Sequence, residues 1–365
     1  MSKRQPPTFA KEAMGILSYL LLSPDAETVL AGRPEFSELT RANFDELVAL
    51  AHSNHVIVRG LEAYRGIVLA AGDINRSQWP IGTLSAEKKR IGNAVTWVSK
   101  LCETLKLNGV DVTVMKSLDH WPDFGSDIDL YTNSSSKDVV AAMRSRFGAE
   151  IAPRSWGDRL AGKWNFLIPT LEEAVEVHAG RLGQTGEQRT LGAHLPARRR
   201  LLSFDGHLLP VPSASDRIMI STLQRMYRHF YFRLCDIVDS AELVKSGVLD
   251  CDDLRRSARA AGIWEGVATY LVLVRDYVRR YGGEELDLPG YVLDAARFDG
   301  KTMYLGGNFL RVPILPQSVS LYRTQLAGLL RRCEVHSSLR LGTLPFLASA
   351  AAVGYKITGS DKGIW

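Results

Sequence analysis

The segment Gly125-Ser126-Asp127-Ile128-Asp129-Leu130-Tyr131-Thr132 constrains this chain more than any other. Its strict polar–apolar alternation has a period of two, which suits a β-strand and not a helix. It predicts a strand over Asp127 to Thr132, with Ile128 and Leu130 facing a core and Asp127 and Asp129 facing the other way. On such a strand the α-carbons of the two aspartates stand roughly 7 Å apart. Two carboxylates held this way can share divalent cations, magnesium first and manganese second, since both take oxygen ligands. A nucleotide's phosphates would complete the coordination shell, and Gly125 and Ser126 form a turn where backbone can approach phosphate oxygens. Asp-x-Asp also arises by chance, and Gly-Ser-Asp is an ordinary turn or helix cap. Here Gly-Ser-Asp does not open a helix, because Tyr131, Thr132 and the polar run behind them end a strand instead.

The flanking sequence has a different texture. Residues 1 to about 107 carry apolar residues at helical spacings, with Thr40 and Asn43 as capping residues and a helix over Ala86 to Asn108 that ends at Gly109. Val110 to Lys116 is short and β-branched, and reads as a strand. A serine-capped helix ending at Gly148 follows the aspartate strand, and further strands are expected at Trp164 to Ile168 and Ala174 to His178. From Ser215 the pattern is helical again, with one long helix over Asp216 to Lys245 and others at Asp252 to Ala261, Trp264 to Arg280 and Ser320 to Cys333. Pro289 to Pro316 carries glycine and proline and reads as a loop or short hairpin, and the apolar stretch Leu341 to Tyr355 as a docked helix. The expected architecture is an α+β core with a mixed sheet over residues 108–212. It lies between an N-terminal helical segment, 1–107, and a C-terminal helical domain, 213–365.

Composition narrows the class without choosing a function. Hydrophobic residues at 45% and charged residues at 23% are ordinary for a globular protein, and a net charge of +5 is only mildly basic. The four cysteines are scattered, with no Cys-x-x-Cys pair and no disulfide framework, which fits a reducing, cytoplasmic compartment. The apolar run Ile16 to Leu22 lacks a cleavage site and reads as part of a helix, so no membrane association is expected.

The motif spacing resembles the nucleotidyltransferase superfamily with the DNA polymerase beta-like fold. That family places a glycine-containing turn about ten residues before an Asp-h-Asp-h strand, h being hydrophobic. Lys116-Ser117 stands at the turn position and Asp127-Ile128-Asp129-Leu130 at the strand, after the strand Val110 to Met115. The chain is most similar to uncharacterised nucleotidyltransferase-like proteins with a Leu-Lys-Gly turn, a Gly/Ser-Asp-h-Asp-Leu strand and a later acidic-h-His strand. Met115-Lys116-Ser117, Ser126 to Leu130 and Glu176-Val177-His178 correspond to these. Ser117 departs from the pattern, placing a Cβ where the family has glycine, although its hydroxyl could hydrogen-bond phosphate.

The resemblance implies magnesium-dependent transfer of a nucleoside monophosphate from a nucleoside triphosphate to an acceptor, with release of pyrophosphate. Asp127 and Asp129 would be catalytic metal ligands, and Glu176, on the same face of its strand as His178, the third carboxylate as ligand or base. Lys116, Ser117, Gly125, Ser126 and His178 would contact the nucleotide, together with His229, Arg233 and Asp236 from a polar stripe that also includes Arg225 and Ser240. The alternative for that stripe is a solvated face with a helical ion pair. Asp119, His120 and Asp123 read as surface loop, with substrate contact as the alternative, and the basic clusters Arg154, Arg159, Lys163 and Arg198 to Arg200 as solvated surface or as a binding site for triphosphate or RNA. The acceptor is open among a small molecule, a protein and RNA, and a toxin-like role is one variant. The contrasting reading is an inactive module of the same fold that binds nucleotide, RNA or a protein.

Overall fold

A computed structural model describes residues 9–313, 316–347 and 349–350. Its central element is a five-stranded sheet built from β1 (Thr113–Met115), β2 (Asp127–Thr132), β3 (Glu150–Ile151), β4 (Lys163–Leu167) and β5 (Ala174–Ala179). The spatial order is β1-β2-β5-β4-β3. β2 and β5 run parallel, while β1 with β2, β4 with β5, and β3 with β4 run antiparallel, so the sheet is mixed and the chain is α+β. The chain passes from β2 to its parallel neighbour β5 by way of helix Ser136–Phe147, β3, helix Trp156–Ala161 and β4; the first helix is capped by the Ser135 hydroxyl and ended by Gly148 in the left-handed region at φ 59°.

Helices flank the sheet on both sides in sequence. Ala10–Leu22, Arg41–Ser53, Ile57–Ala70 and Ile81–Leu107 precede it, and Thr40 caps the second by accepting from the Asn43 amide at 3.2 Å. The last begins at Ile81 rather than at Ala86, because Leu84 is buried and extends its apolar face by a turn. One apolar cluster takes in Leu17 and Val98 before the sheet, Ile128, Leu130 and Val175 within it, and Ile218 and Leu271 after it. That cluster claims the apolar face of β2 and leaves Asp127 and Asp129 on the opposite face.

The single helix expected over Asp216 to Lys245 is corrected by the structure. Helix Ala214–Gln224 passes into one π-helical turn, Arg225–His229; Phe230 sits at φ 55°, Tyr231–Phe232 pairs as a short strand, and a new helix runs Leu234–Lys245. Tertiary partners outweigh the local helical period here. Tyr231–Phe232 pairs with Phe309–Arg311, Tyr231 stacks on Phe309 with centroids 4.4 Å apart, and Asp236 caps the second helix by accepting from the Arg233 amide at 2.7 Å. The Phe309–Arg311 strand and its partner Tyr304–Gly306 form a hairpin within the stretch read as loop or hairpin. A helix at Val335–Gly342 includes the start of the apolar segment expected over Leu341 to Tyr355, but residues 351–355 lie outside the described residues, as do residues 1–8. Among the described residues no helix is long and apolar enough to cross a membrane, and all four cysteines are free.

Candidate functional site

The parallel register of β2 and β5 sets Asp129 directly opposite Glu176 and Asp127 opposite Ala174. Because side chains alternate along each strand, Asp127, Asp129 and Glu176 emerge on one face and line the floor of one cleft. Lys116 enters from the end of β1. It occupies the left-handed region at φ 55°, and the Ser117 amide donates to the Met115 carbonyl at 2.5 Å, closing a tight turn around it. Its ammonium lies 2.6 Å from Asp129 Oδ1 and 3.8 Å from Glu176 Oε1. Lys163, read from sequence as solvated surface or a binding residue for triphosphate or RNA, is the first residue of β4, with Nζ 2.5 Å from Glu176 Oε2. His178 stands beside Glu176, Nε2 to Oε1 2.7 Å, and is 3.9 Å from Asp129.

Burial sets the electrostatics of this floor. It raises the Asp129 carboxyl well above the usual range; the nearby Asp127 and Glu176 charges add to this, and Lys116 opposes it. Glu176 goes the other way: against its burial, Lys116, the hydrogen bond from His178 and Lys163 hold it well below the usual range. Burial brings His178 down to about 4 despite Glu176, which keeps the imidazole neutral. Lys116 keeps its charge because Asp129, Glu176 and Asp127 outweigh the cost of burying it.

The donors fit a divalent cation. One ligand atom each from Asp129, Glu176 and His178 lie within 4.8 Å of one another, and Asp129 Oδ1 is held by the Lys116 ammonium. Asp127 lines the same cleft but is not part of that close cluster. Oxygen-rich donors of this kind favour hard cations. The positive charge between Asp129 and Glu176 is the Lys116 ammonium, so a cation bound there would take over part of its role.

The turn residues behave differently from the expectation. Ser117 is buried, and its hydroxyl is spent internally, donating to the Asp127 carbonyl at 3.0 Å and accepting from the Asp129 amide at 2.8 Å. It stitches the turn to the aspartate strand and has no free donor for phosphate. The residue with positive φ is Lys116, so the Cβ at position 117 carries no backbone strain. Gly125 and Ser126 line the cleft. A Cβ at Gly125 would meet His55 at 3.6 Å, an ordinary contact, so packing does not demand glycine there.

The wall facing the carboxylates comes from the broken helix. Arg225, Arg228, His229, Tyr231 and Arg233 all line the cleft. Arg225 is fully buried, over the Tyr231 ring, with Nε 2.7 Å from Asp236. Burial, with the surrounding arginines and Lys116, brings His229 down to about 2. Asp236 is the exception among the expected nucleotide contacts. It is buried behind the wall, where it pairs with Arg225 and caps the second helix. His178 likewise is not a cleft-lining residue but supports Glu176.

The loop between β1 and β2 is not surface. Asp123 is fully buried and accepts from the Val58 amide at 2.6 Å and from Arg59 at 2.8 Å; Asp119 pairs with Arg217 at 2.7 Å; and His120 bonds Asp239 at 2.5 Å. His55, which no sequence pattern marks, also lines the cleft. It sits in the turn between two helices at φ 53°, and only tertiary packing brings it there. A second pocket shares His55, Gly125 and Ser126 with the first; Glu87, Arg90 and Glu173 line it, with Arg90 bridging the two acids at 2.7 and 2.6 Å. In the basic clusters, Arg198 pairs with Asp216 and Asp253, Arg199 with Asp111, and Arg154 covers the Trp164 ring. Those three arginines are thus engaged within the protein.

No protein-family model matches the chain, and no curated protein matches it. Among solved structures, the chain is similar to the crystal structure of an antigenic nucleotidyltransferase-like protein from Paracoccidioides brasiliensis. The identity is 16%, over 41% of this chain and 75% of that one, with a TM-score of 0.31.

Proposed function

We propose that this protein is a nucleotidyltransferase that moves a nucleoside monophosphate from a nucleoside triphosphate to a hydroxyl-bearing acceptor and releases pyrophosphate. The observation that carries the reading is the opposition of two surfaces: a floor of three strand-borne carboxylates and a wall bearing Arg225, Arg228 and Arg233 across one cleft. A triphosphate needs both, because cations bound by the carboxylates and guanidinium groups together offset its charge. Asp127, Asp129 and Glu176 would hold magnesium or manganese, which would align and polarise the reacting phosphate. Arg233 and Arg228 are placed to grip phosphate oxygens, and Tyr231 offers a ring face at the rim. Lys163 and His178 keep Glu176 ionised and oriented. The adjoining pocket at Glu87, Arg90 and Glu173 is the place proposed for the acceptor.

The assay is incubation with each labelled triphosphate, magnesium and a cell extract, with Asp127→Asn and Asp129→Asn as controls. Label transfer that both variants lose supports the reading. Transfer unchanged in both overturns it.

A second reading is an inactive nucleotide-binding module. It is favoured by the Lys116 ammonium at 2.6 Å from Asp129, which neutralises that ligand without a metal. Triphosphate binding with no transfer to any acceptor would select it.

A further inference from the structure

A second cluster of donors lies beside the carboxylate floor, and its chemistry is different. His55, His120 and Cys235 each present one ligand atom, all within 4.8 Å of one another. They come from three distant parts of the chain: the turn before helix Ile57–Ala70, the loop between β1 and β2, and the first turn of helix Leu234–Lys245. His120 is oriented from behind. Its Nδ1 lies 2.5 Å from Asp239, one helical turn beyond Cys235, and Asp239 is itself held by Arg59 at 2.7 Å. With Nδ1 committed to a carboxylate, Nε2 is turned to the Cys235 sulfur, 3.7 Å away. A carboxylate behind an imidazole is how metal-ligating histidines are fixed in tautomer and direction.

From this geometry we propose that His55, His120 and Cys235 form a zinc site, with a fourth position open toward the cleft. Two nitrogens and a thiolate select a borderline-soft cation, whereas the carboxylates of the floor also accept a hard one, so the two clusters differ in the metal they favour. Cys235 is fully buried, while His55 and His120 line the cleft and supply the entry path. Arg233 approaches His55 Nδ1 at 3.4 Å and would give way to the metal, freeing its guanidinium for the cleft.

The site is independent of the transferase reading, and so is its test. The full-length protein, stripped with chelator, is titrated with zinc and separately with cobalt(II) as a spectroscopic probe. The expected result is zinc retained at a one-to-one ratio after desalting, proton release on binding, and a thiolate-to-cobalt charge-transfer band. Cys235→Ser and His55→Gln should lose the band, and Asp239→Asn should weaken affinity about 10–100-fold, the range for an outer-shell partner. Asp127→Asn should leave it unchanged. His55→Gln, at a partly exposed turn, keeps the test meaningful if Cys235→Ser fails to fold. Zinc lost on desalting from a folded wild type, or a band that survives both ligand substitutions, overturns the proposal.

Discussion

The floor and the wall of the cleft reach the same place by different physics. On the floor, Asp127, Asp129 and Glu176 are positioned by strand alternation and by the β2–β5 register, so each follows from its neighbours one or two residues away. On the wall, Arg225, His229 and Arg233 are positioned by a π-helical turn, a left-handed Phe230 and a strand that pairs with residues 309–311. A slip of one residue in β2 would turn both aspartates into the core. Loss of the pairing at Tyr231 would let the wall relax into the longer helix its own pattern favours. The floor is specified locally and the wall by distant contacts.

That contrast can be broken most decisively at the floor. Asp129→Asn keeps shape and removes the charge a hard cation requires, so transfer should fall by several orders of magnitude. Melting temperature measured alongside separates loss of metal from loss of fold. Activity within tenfold of wild type would remove Asp129 from the chemistry.

Lys116→Met is the next largest effect, and it acts on stability. It leaves Asp129 without its counter-charge beside Glu176, which keeps Lys163 at 2.5 Å, a loss of about 3–5 kcal/mol in urea unfolding without divalent cation. Added magnesium should restore much of that loss if the ammonium occupies the position of a cation. Equal destabilisation with and without magnesium would mean that the lysine has a separate role.

Arg233→Ala tests the wall. Triphosphate affinity should weaken about tenfold, or ~1.4 kcal/mol, with melting temperature nearly unchanged. An unaltered Kd by calorimetry would make the stripe a structural feature alone.

Ser117→Gly should have the smallest effect and the opposite sign to what family resemblance implies. Glycine there gains no needed backbone freedom and loses two hydrogen bonds between the turn and β2, about 1–2 kcal/mol of stability. Activity should fall modestly. A rise would show that the Cβ, not the lost hydroxyl, governs the turn.

The parts legible in sequence are those with a short period. The Asp127–Thr132 strand, the Ser135 and Gly148 ends of the following helix, and the placement of Glu176 and His178 on one face all follow from alternation, capping and left-handed glycine. Arg225, His229 and Arg233 also lie in the cleft, although the helix meant to carry them is broken. The π-helical turn and the restart at Leu234 keep Leu223, Met226, Leu234 and Ile237 buried across the interruption. Asp236 did not follow, because capping and the Arg225 pair draw it behind the wall.

By itself, then, the sequence determined the floor, since strand geometry converts Asp-h-Asp and Glu-h-His into side chains of known direction. Only the tertiary structure decided what meets them. Strand pairing set Asp129 opposite Glu176, the tight turn at Lys116 drove an ammonium between them, and buried ion pairs drew the loop of Asp119, His120 and Asp123 inward. The physical reason is range. Alternation and caps act over one to four residues, whereas the His55–His120–Cys235 cluster joins positions up to 180 residues apart, whose proximity depends on the packing of the whole core.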